Sequence, residues 1–327
     1  MTFPRLYWPQ TLKEDGIYAL DAGRRRYLSN VLRLRPGDAV TLFDGSGWDF
    51  PAVIERMDDR EVAVRILRRE AIAAAIPSVR ITLAQALPKG VKMDGIVEKA
   101  TEIGVIRIVP FHSARSVPRL DAAKAAARRE RWEKIAVEAA RRCRRPDVPA
   151  MEMIASFGEM LDLAEGAGAK LAPARSGGGN RRRNHEEAAA RPAAEDELFP
   201  APLVGKGQRQ QGRGVVASPS APLPGRIIFW EEGGRDIKSI LRPAGGPPPE
   251  DYFVVVGPEG GFAPEEVAAA RASGFTVAGL GHRILRVETA SLVILTIIQY
   301  ERGIFAAPDQ PEGAGAAETP RKERDRD

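Results

Sequence analysis

Two glycine-bearing loops near the C-terminal end constrain the fold of this chain more than any other feature. The first, residues 257–262, reads Gly-Pro-Glu-Gly-Gly-Phe and follows the apolar run 252–256. The second, residues 280–290, reads Leu-Gly-His-Arg-Ile-Leu-Arg-Val-Glu-Thr-Ala and leads into a long apolar segment. Each loop leaves a strand-like run and enters a helix-like one, which is where α/β folds bind ligands. Glycine also permits close backbone approach to a ligand. The two loops therefore predict an α/β domain with a ligand site at its strand ends.

The segment upstream of the first loop alternates between strand and helix patterns. Apolar runs predict strands at 79–86, 105–109 and 150–154. Amphipathic spacing predicts helices over 93–103 and 121–142. Such alternation is typical of a parallel sheet covered by helices, and we expect this domain to span residues 76–305.

Residues 1–72 have a different rhythm, which is mostly β. Alternating segments at 39–43, 48–55 and 61–67 are separated by turn residues. A helical pattern over 21–34 ends at an Arg-Pro-Gly-Asp turn. These patterns predict a short barrel with one helix.

An insertion interrupts the second domain at residues 166–225. It is rich in Gly, Arg, Ala and Pro and has little apolar periodicity. Such a segment buries too little surface to offset the entropy of an ordered chain, so we predict that it is disordered. Strand character resumes at 226–230, and we also predict that the tail 306–327 is disordered. The role of the insertion is left open.

Charge and cysteine content narrow the function classes. The chain has 327 residues, and its 49 Lys and Arg against 44 Asp and Glu give a net charge of +5. Clustered arginines favour a polyanionic partner, although many basic proteins bind no nucleic acid. A single cysteine, Cys143, excludes an internal disulfide framework and fits a reducing compartment. The most apolar stretch, 290–298, is about half of a bilayer span. We therefore expect a cytoplasmic protein, without a membrane partner.

Several further motifs occur in a characteristic order along the chain. They lie at residues 30–38, 43–45, 85–94, 98–104 and 131–140. With these motifs and both glycine loops, the chain resembles the bacterial methyltransferases that modify N3 of a uridine in small-subunit (16S) ribosomal RNA, within the SPOUT superfamily. The resemblance covers residues 1–165 and 226–305.

The resemblance implies an α/β fold with an N-terminal PUA-like RNA-binding β-barrel. It also implies a C-terminal SPOUT α/β domain with a trefoil knot, a rare exception to the rule that folds are unknotted. The cofactor is then S-adenosylmethionine, bound in a bent form by the knot loops. The partners are small-subunit ribosomal RNA, free or in the assembled subunit, and a second copy of the chain in a homodimer.

Two residues of the second loop are the candidates for catalysis. Deprotonation of a uracil imide spreads negative charge onto the flanking carbonyl oxygens, where a cation stabilises it. We expect Arg286 to serve this role, the alternative being a loop arginine paired with Glu288. Glu288 either accepts the proton, holds Arg286 in place or caps the next helix. Val287 lies between them and replaces a Thr that is usual in the family. The effect of this replacement on the site is left open.

The cofactor site is predicted from backbone and apolar groups. An uncharged adenine and ribose need close backbone donors and acceptors and an apolar slot. The alternative is that the glycines only permit tight turns. The candidate residues are Gly257, Gly260, Gly261, Leu280, Gly281, Ile284 and Leu285. The three histidines are scattered without ligand spacing, so no metal site is predicted.

Basic residues at the junction of the two domains are candidates for phosphate contacts. Each alone is more often a solvated surface charge, but together they favour an RNA-binding surface. The candidates are Arg24, Arg25, Arg33, Lys89, Lys92, Arg115 and Arg145.

Two other functions remain open from the sequence. One is an RNA-binding homologue without catalytic activity, for which Val287 is the only support. The other is a related knotted enzyme that methylates a ribose 2′-hydroxyl, which the N-terminal barrel and the form of the second loop disfavour.

Overall fold

The computed structural model describes residues 3–302, with gaps at 59–60, 72–78, 118–119, 171–224 and 244–247. Within these residues the chain forms one sheet of six strands and a second sheet of eight strands. The predicted tail 306–327 and most of the predicted insertion lie outside the described residues.

The N-terminal sheet is curled into a half-barrel, as the sequence pattern predicts. Its strands are β1 (Arg5–Tyr7), β2 (Ile17–Leu20), β3 (Ala39–Phe43), β4 (Trp48–Met57), β5 (Val62–Ile66) and β6 (Glu70–Ala71). They are arranged in the order β1-β3-β4-β5-β2, and β6 pairs with β4. The β1–β3 pair is parallel and the other pairs are antiparallel.

The helix of the N-terminal domain is shorter than the sequence pattern suggests. Helix α1 spans Ala22–Arg26 and continues as a π-helical turn over Tyr27–Val31. Arg33 then adopts a left-handed φ of 56°, which ends the helix before the Pro36 turn.

The second domain alternates strands and helices, as expected. Its elements are β7 (Arg80–Ala86), α2 (Lys92–Ile103), β8 (Arg107–His112), α3 (Ala122–Cys143), β9 (Ala150–Met151), β10 (Ala155–Ser156), α4 (Phe157–Lys170), β11 (Arg226–Phe229), β12 (Arg235–Asp236), α5 (Ile237–Leu241), β13 (Asp251–Val256), α6 (Pro264–Ala272), β14 (Thr276–Gly279) and α7 (Val287–Glu301). Helix α4 extends to Lys170, so residues 166–170 of the predicted insertion are helical. Of the predicted strand 150–154, only Ala150–Met151 (β9) is a strand, and β10 follows at Ala155–Ser156, just beyond the predicted range.

All strand pairs of the second sheet are parallel, and their order explains where a ligand site forms. The order is β10-β8-β7-β13-β11-β14-β12, with β9 also paired to β8. The chain passes from β13 through α6 to β14, skipping over β11, which lies between them. Because the carboxyl ends of parallel strands share one edge, the loops after β13, β11 and β14 meet there.

Helices cover both faces of this sheet. Its strands are therefore buried on both faces, which requires mostly apolar residues. One face packs against α2, α3 and α7 around the buried side chains of Leu83, Trp132 and Ile294. The other packs against α4 and α6 around Phe111 and Phe262. The apolar helix α7 therefore has a core face in its own chain. Among the described helices, none combines the length and apolarity needed to cross a membrane.

A buried arginine joins the two domains. The Arg5 guanidinium donates to the backbone carbonyl of Ala140 at 3.3 Å and to that of Arg145 at 3.1 Å, and it also pairs with Asp49. Gly47 of the half-barrel donates its N–H to the Pro146 carbonyl at 3.3 Å. The half-barrel is thus attached to the C-terminal end of α3.

Candidate cofactor and catalytic site

The first glycine loop is tied to the rest of the chain through several of its polar groups. The Pro258 carbonyl accepts from the Gly261 N–H at 3.0 Å, which closes a tight turn. The Gly260 carbonyl accepts from Arg115 at 2.9 Å. The loop therefore has a set conformation before any ligand binds.

Glu259 links this loop to the loop after β7. Its two carboxylate oxygens each lie 3.2 Å from the Lys89 N–H, and Oε1 lies 2.7 Å from the Lys92 ammonium. Burial raises the pKa of Glu259, but the hydrogen bonds from Lys92 and from backbone N–H groups outweigh this effect, and the net pKa is lowered. Glu259 therefore satisfies a backbone amide of the neighbouring loop.

Close packing within the chain accounts for two of the glycines in the first loop. Gly261 has a φ of 67°, and a Cβ at this position would lie 1.5 Å from the Glu231 carboxylate. A Cβ on Gly257 would lie 3.1 Å from the Phe262 ring. The positive φ of Gly261 therefore supports the tight-turn interpretation for that residue, whereas Gly257 is restricted by its packing against Phe262. A cofactor contact at either position is left to the backbone groups.

The second glycine loop differs because its backbone is open. Gly281 has a φ of 86°, and no atom lies within 4 Å of the position of an added Cβ. Within the part of the chain that the structure describes, the backbone groups of residues 281–285 make no hydrogen bond. Leu280 packs against the core, Leu285 is half-buried, and the Ile284 side chain is 90% exposed. Free donors and acceptors beside open space and apolar side chains fit an adenosine group.

Arg286 and Glu288 lie where the second loop enters helix α7. Arg286 is the N-cap residue of α7, its side chain is exposed, and Glu288 is in the first turn. Among the described residues, Arg286 makes no ion pair, so it is not tied to Glu288. The Glu288 Oε2 atom is buried without a hydrogen bond and lies 3.8 Å from the Lys92 ammonium. A carboxylate and a cation are thus both available at the end of the open loop.

Three of the predicted RNA contacts surround the first glycine loop. Lys92 is paired with Glu259, and Arg115 donates to the Gly260 carbonyl. The Lys89 side chain is exposed although its backbone N–H is used. Of these three, Lys89 is the one whose cationic group has no partner among the described residues.

The other predicted RNA contacts lie in or beside the N-terminal domain. Arg24 pairs with Asp21, while Arg25 is half-buried and Arg33 is exposed. The Arg145 side chain is only 12% exposed and binds Asp147 and, at 2.7 Å, the Thr101 carbonyl. This burial favours a structural role for Arg145 rather than a phosphate contact.

One polar pair of the site has no role in the sequence interpretation. Gln85 and Ser291 are both fully buried and bind each other at 2.6 Å. Gln85 lies in one of the quoted motifs, but its partner is 206 residues away. A glutamine in an otherwise apolar strand was the only local signal of this pair.

Comparison with protein families agrees with this architecture. The RNA methyltransferase domain family matches residues 75–194 and 220–299, which is more than half of the chain. The chain belongs to this RNA methyltransferase family. The PUA domain of RNA methyltransferases matches residues 20–67, within the half-barrel. The fold of the methyltransferase is thus the α/β fold with a PUA-like N-terminal domain that the motifs imply.

Individual relatives of the methyltransferase cover almost its whole length. It is 28% identical over 294 residues to ribosomal RNA small subunit methyltransferase E of Bacillus subtilis, covering 89% of this chain and 93% of that protein. It is 28% identical over 291 residues to the Mycobacterium tuberculosis protein of the same name, covering 89% of each. A solved structure of the Neisseria gonorrhoeae protein of that name, bound to S-adenosyl methionine, has a TM-score of 0.65 and 26% identity, and the match covers 91% of this chain and 97% of that chain.

Proposed function

We propose that this methyltransferase transfers a methyl group from S-adenosylmethionine to N3 of a uridine in small-subunit ribosomal RNA. The observation that carries the proposal is the open second loop, which has free backbone groups and presents Arg286 and Glu288 at its end. The relatives named as ribosomal RNA small subunit methyltransferases support the substrate class, and the Neisseria structure supports the cofactor.

The cofactor would bind between the two glycine loops. Free N–H and C=O groups of residues 281–285 would bind its adenosine part, with Leu280 and Leu285 as apolar contacts. S-Adenosylmethionine supplies an activated methyl group on a sulfonium. Because the first loop is held by Glu259 and Arg115, we expect its ordering to add little to the cost of binding the ligand. The trefoil knot stays a prediction from the resemblance.

Methyl transfer to a ring nitrogen requires the N3 proton to leave and the new N–C bond to form in line with the departing sulfur. We assign Glu288 as the acceptor of that proton, since its carboxylate accepts no hydrogen bond among the described residues and its nearest cation, Lys92, is 3.8 Å away. Arg286 would stabilise the negative charge on the carbonyl oxygens beside N3. The remaining contribution to catalysis is the positioning of the uracil ring against the methyl group, which accounts for much of the rate of a displacement of this kind.

Basic side chains that have no partner among the described residues indicate where RNA would bind. Arg25, Arg33 and Lys89 are the strongest candidates for phosphate contacts, because Lys92, Arg115 and Arg145 are engaged within the chain.

A homodimer is also part of the proposal. The exposed Tyr300 near the end of α7 marks one surface that a second copy could cover.

The proposal is tested with purified protein, labelled S-adenosylmethionine and small ribosomal subunits from cells that lack this gene. The products are digested to nucleosides and separated. Label in 3-methyluridine is the expected result. Label in a 2′-O-methylated nucleoside would replace the proposed chemistry by ribose methylation, and bound cofactor without any transfer would favour the inactive homologue.

A further inference from the structure

The buried Gln85–Ser291 pair lies between the two loops of the proposed cofactor site. Gln85 is the penultimate residue of β7, and it pairs with Val256, the last residue of β13 before the first glycine loop. Ser291 is in the second turn of α7, directly after the second loop. Both residues have 0% exposure.

Every polar group of the Gln85 side chain has a partner. Its Nε2 donates to the Ala86 carbonyl at 3.0 Å and to the Gly257 carbonyl at 3.4 Å. Its Oε1 accepts from the Ser291 hydroxyl at 2.6 Å. Because Nε2 faces two carbonyl oxygens, the orientation of the amide follows from the network.

The network orients one peptide group of the first loop. The Gly257 carbonyl is directed to Gln85, and the next residue, Pro258, has no N–H to offer a ligand. The orientation of the Gly257–Pro258 peptide plane is therefore fixed by Gln85, which lies in the core. The Pro258 carbonyl then closes the turn to Gly261.

The Ser291 side chain also restrains the start of α7. The Ser291 hydroxyl also lies 2.9 Å from the Val287 carbonyl, one turn earlier in the helix. Arg286 and Glu288 flank Val287, so a shift of this turn moves both proposed catalytic residues. A satisfied buried network tolerates few alternative arrangements, because any shift leaves polar groups unpaired in the core.

We infer that Gln85 is a positioning residue that couples the two cofactor loops through Gly257 and Ser291. It touches neither the substrate nor the reacting atoms. This inference rests on the proposed function, because it assumes that both loops bind S-adenosylmethionine. The same helix also contains a control position. Gln299 is equally buried in α7, two helical turns beyond Ser291 and away from both loops. Its Nε2 donates to the Ile103 carbonyl at 3.1 Å, while its Oε1 has no hydrogen-bond partner among the described residues.

The test compares the full-length variants Gln85→Met, Ser291→Ala, Gln299→Met and the Gln85→Met/Ser291→Ala double variant. Binding of S-adenosylhomocysteine is measured by calorimetry and stability by thermal unfolding. Gln85→Met should weaken binding about tenfold, whereas Gln299→Met should leave binding within about twofold. The double variant should bind no more weakly than Gln85→Met, because the two side chains act as one unit.

Amide hydrogen exchange provides the second readout. Gln85→Met should speed exchange in both 259–263 and 287–291 while α3 keeps its protection. Equal losses of binding in Gln85→Met and Gln299→Met, or uniform exchange changes, would overturn the inference. If Gln85→Met does not fold, Ser291→Ala decides, with an expected loss of about threefold in binding. If the wild type binds no S-adenosylhomocysteine, the proposed function fails, and exchange still decides whether the loops are coupled.

Discussion

The ammonium of Lys92 lies 2.7 Å from Oε1 of Glu259 and 3.8 Å from Oε2 of Glu288. Glu259 belongs to the first glycine loop, and Glu288 to the helix that follows the second. The hydrogen bond that Lys92 donates to Glu259, and to a smaller extent the nearby Glu288 charge, raise the pKa of Lys92. One lysine on the loop side of α2 therefore connects the two halves of the proposed site.

This geometry predicts the effect of Lys92→Met. Cofactor affinity should fall about threefold to tenfold because the first loop loses one tie, while the salt dependence of RNA binding stays unchanged. A phosphate contact would instead lower the slope of log affinity against log salt by about 0.7–0.9. Arg33→Met is the positive control, since Arg33 is exposed and should show that lower slope. The same lower slope in Lys92→Met would return Lys92 to the RNA contacts.

The lowered pKa of Glu259 predicts a pH-dependent contribution to stability. A carboxyl group with a lowered folded-state pKa stabilises the fold above its unfolded pKa of about 4.3, and this contribution is lost as the pH falls through the folded value. The wild type should melt about 2–4 °C above Glu259→Gln at pH 5–7, and the gap should narrow below about pH 4. Glu265→Gln, at an exposed position in α6, is the control. A gap that does not change with pH would contradict the carboxylate's role in this link.

Arg286 should separate catalysis from cofactor binding. Arg286→Ala should lower turnover about a hundredfold or more, because the charge on the uracil carbonyl oxygens loses its cation. Binding of S-adenosylhomocysteine should stay within about twofold, as measured by calorimetry. Arg271→Ala, at an exposed position in α6, should leave both nearly unchanged. Equal losses of turnover and binding in Arg286→Ala would move Arg286 into the cofactor site.

Substitution of Gly281 should distinguish the stability cost of backbone strain from the loss of a ligand contact. Gly281 and Gly37 both have left-handed φ values, 86° and 93°, and neither has an atom within 4 Å of an added Cβ. Alanine at either position should cost about 1–2 kcal/mol of stability for the left-handed conformation. Only Gly281→Ala should also weaken cofactor binding, since Gly37 lies in a turn of the half-barrel. Comparable binding by the two variants would remove Gly281 from the proposed cofactor contacts.

The sequence alone determined the features that depend on neighbouring residues. The alternation of strand and helix in the second domain, the curled N-terminal sheet and the placement of both glycine loops after strands are all confirmed. These features follow from local periodicity and turn residues, which a single stretch of chain carries by itself. Several motifs in order also indicated the family, and the comparison confirms it.

Only the tertiary structure decided which partners the charged and polar side chains have. Lys92 and Arg145 look like surface cations in the sequence. Yet the first pairs with Glu259, 167 residues away, and the second is mostly buried and donates to the Thr101 carbonyl, 44 residues away. Gln85 shows no partner in the sequence because Gly257 and Ser291 are 172 and 206 residues away. Charge and hydrogen-bonding capacity are properties of a residue type. Whether they face RNA, a cofactor or another loop depends on which strand ends the sheet order brings together.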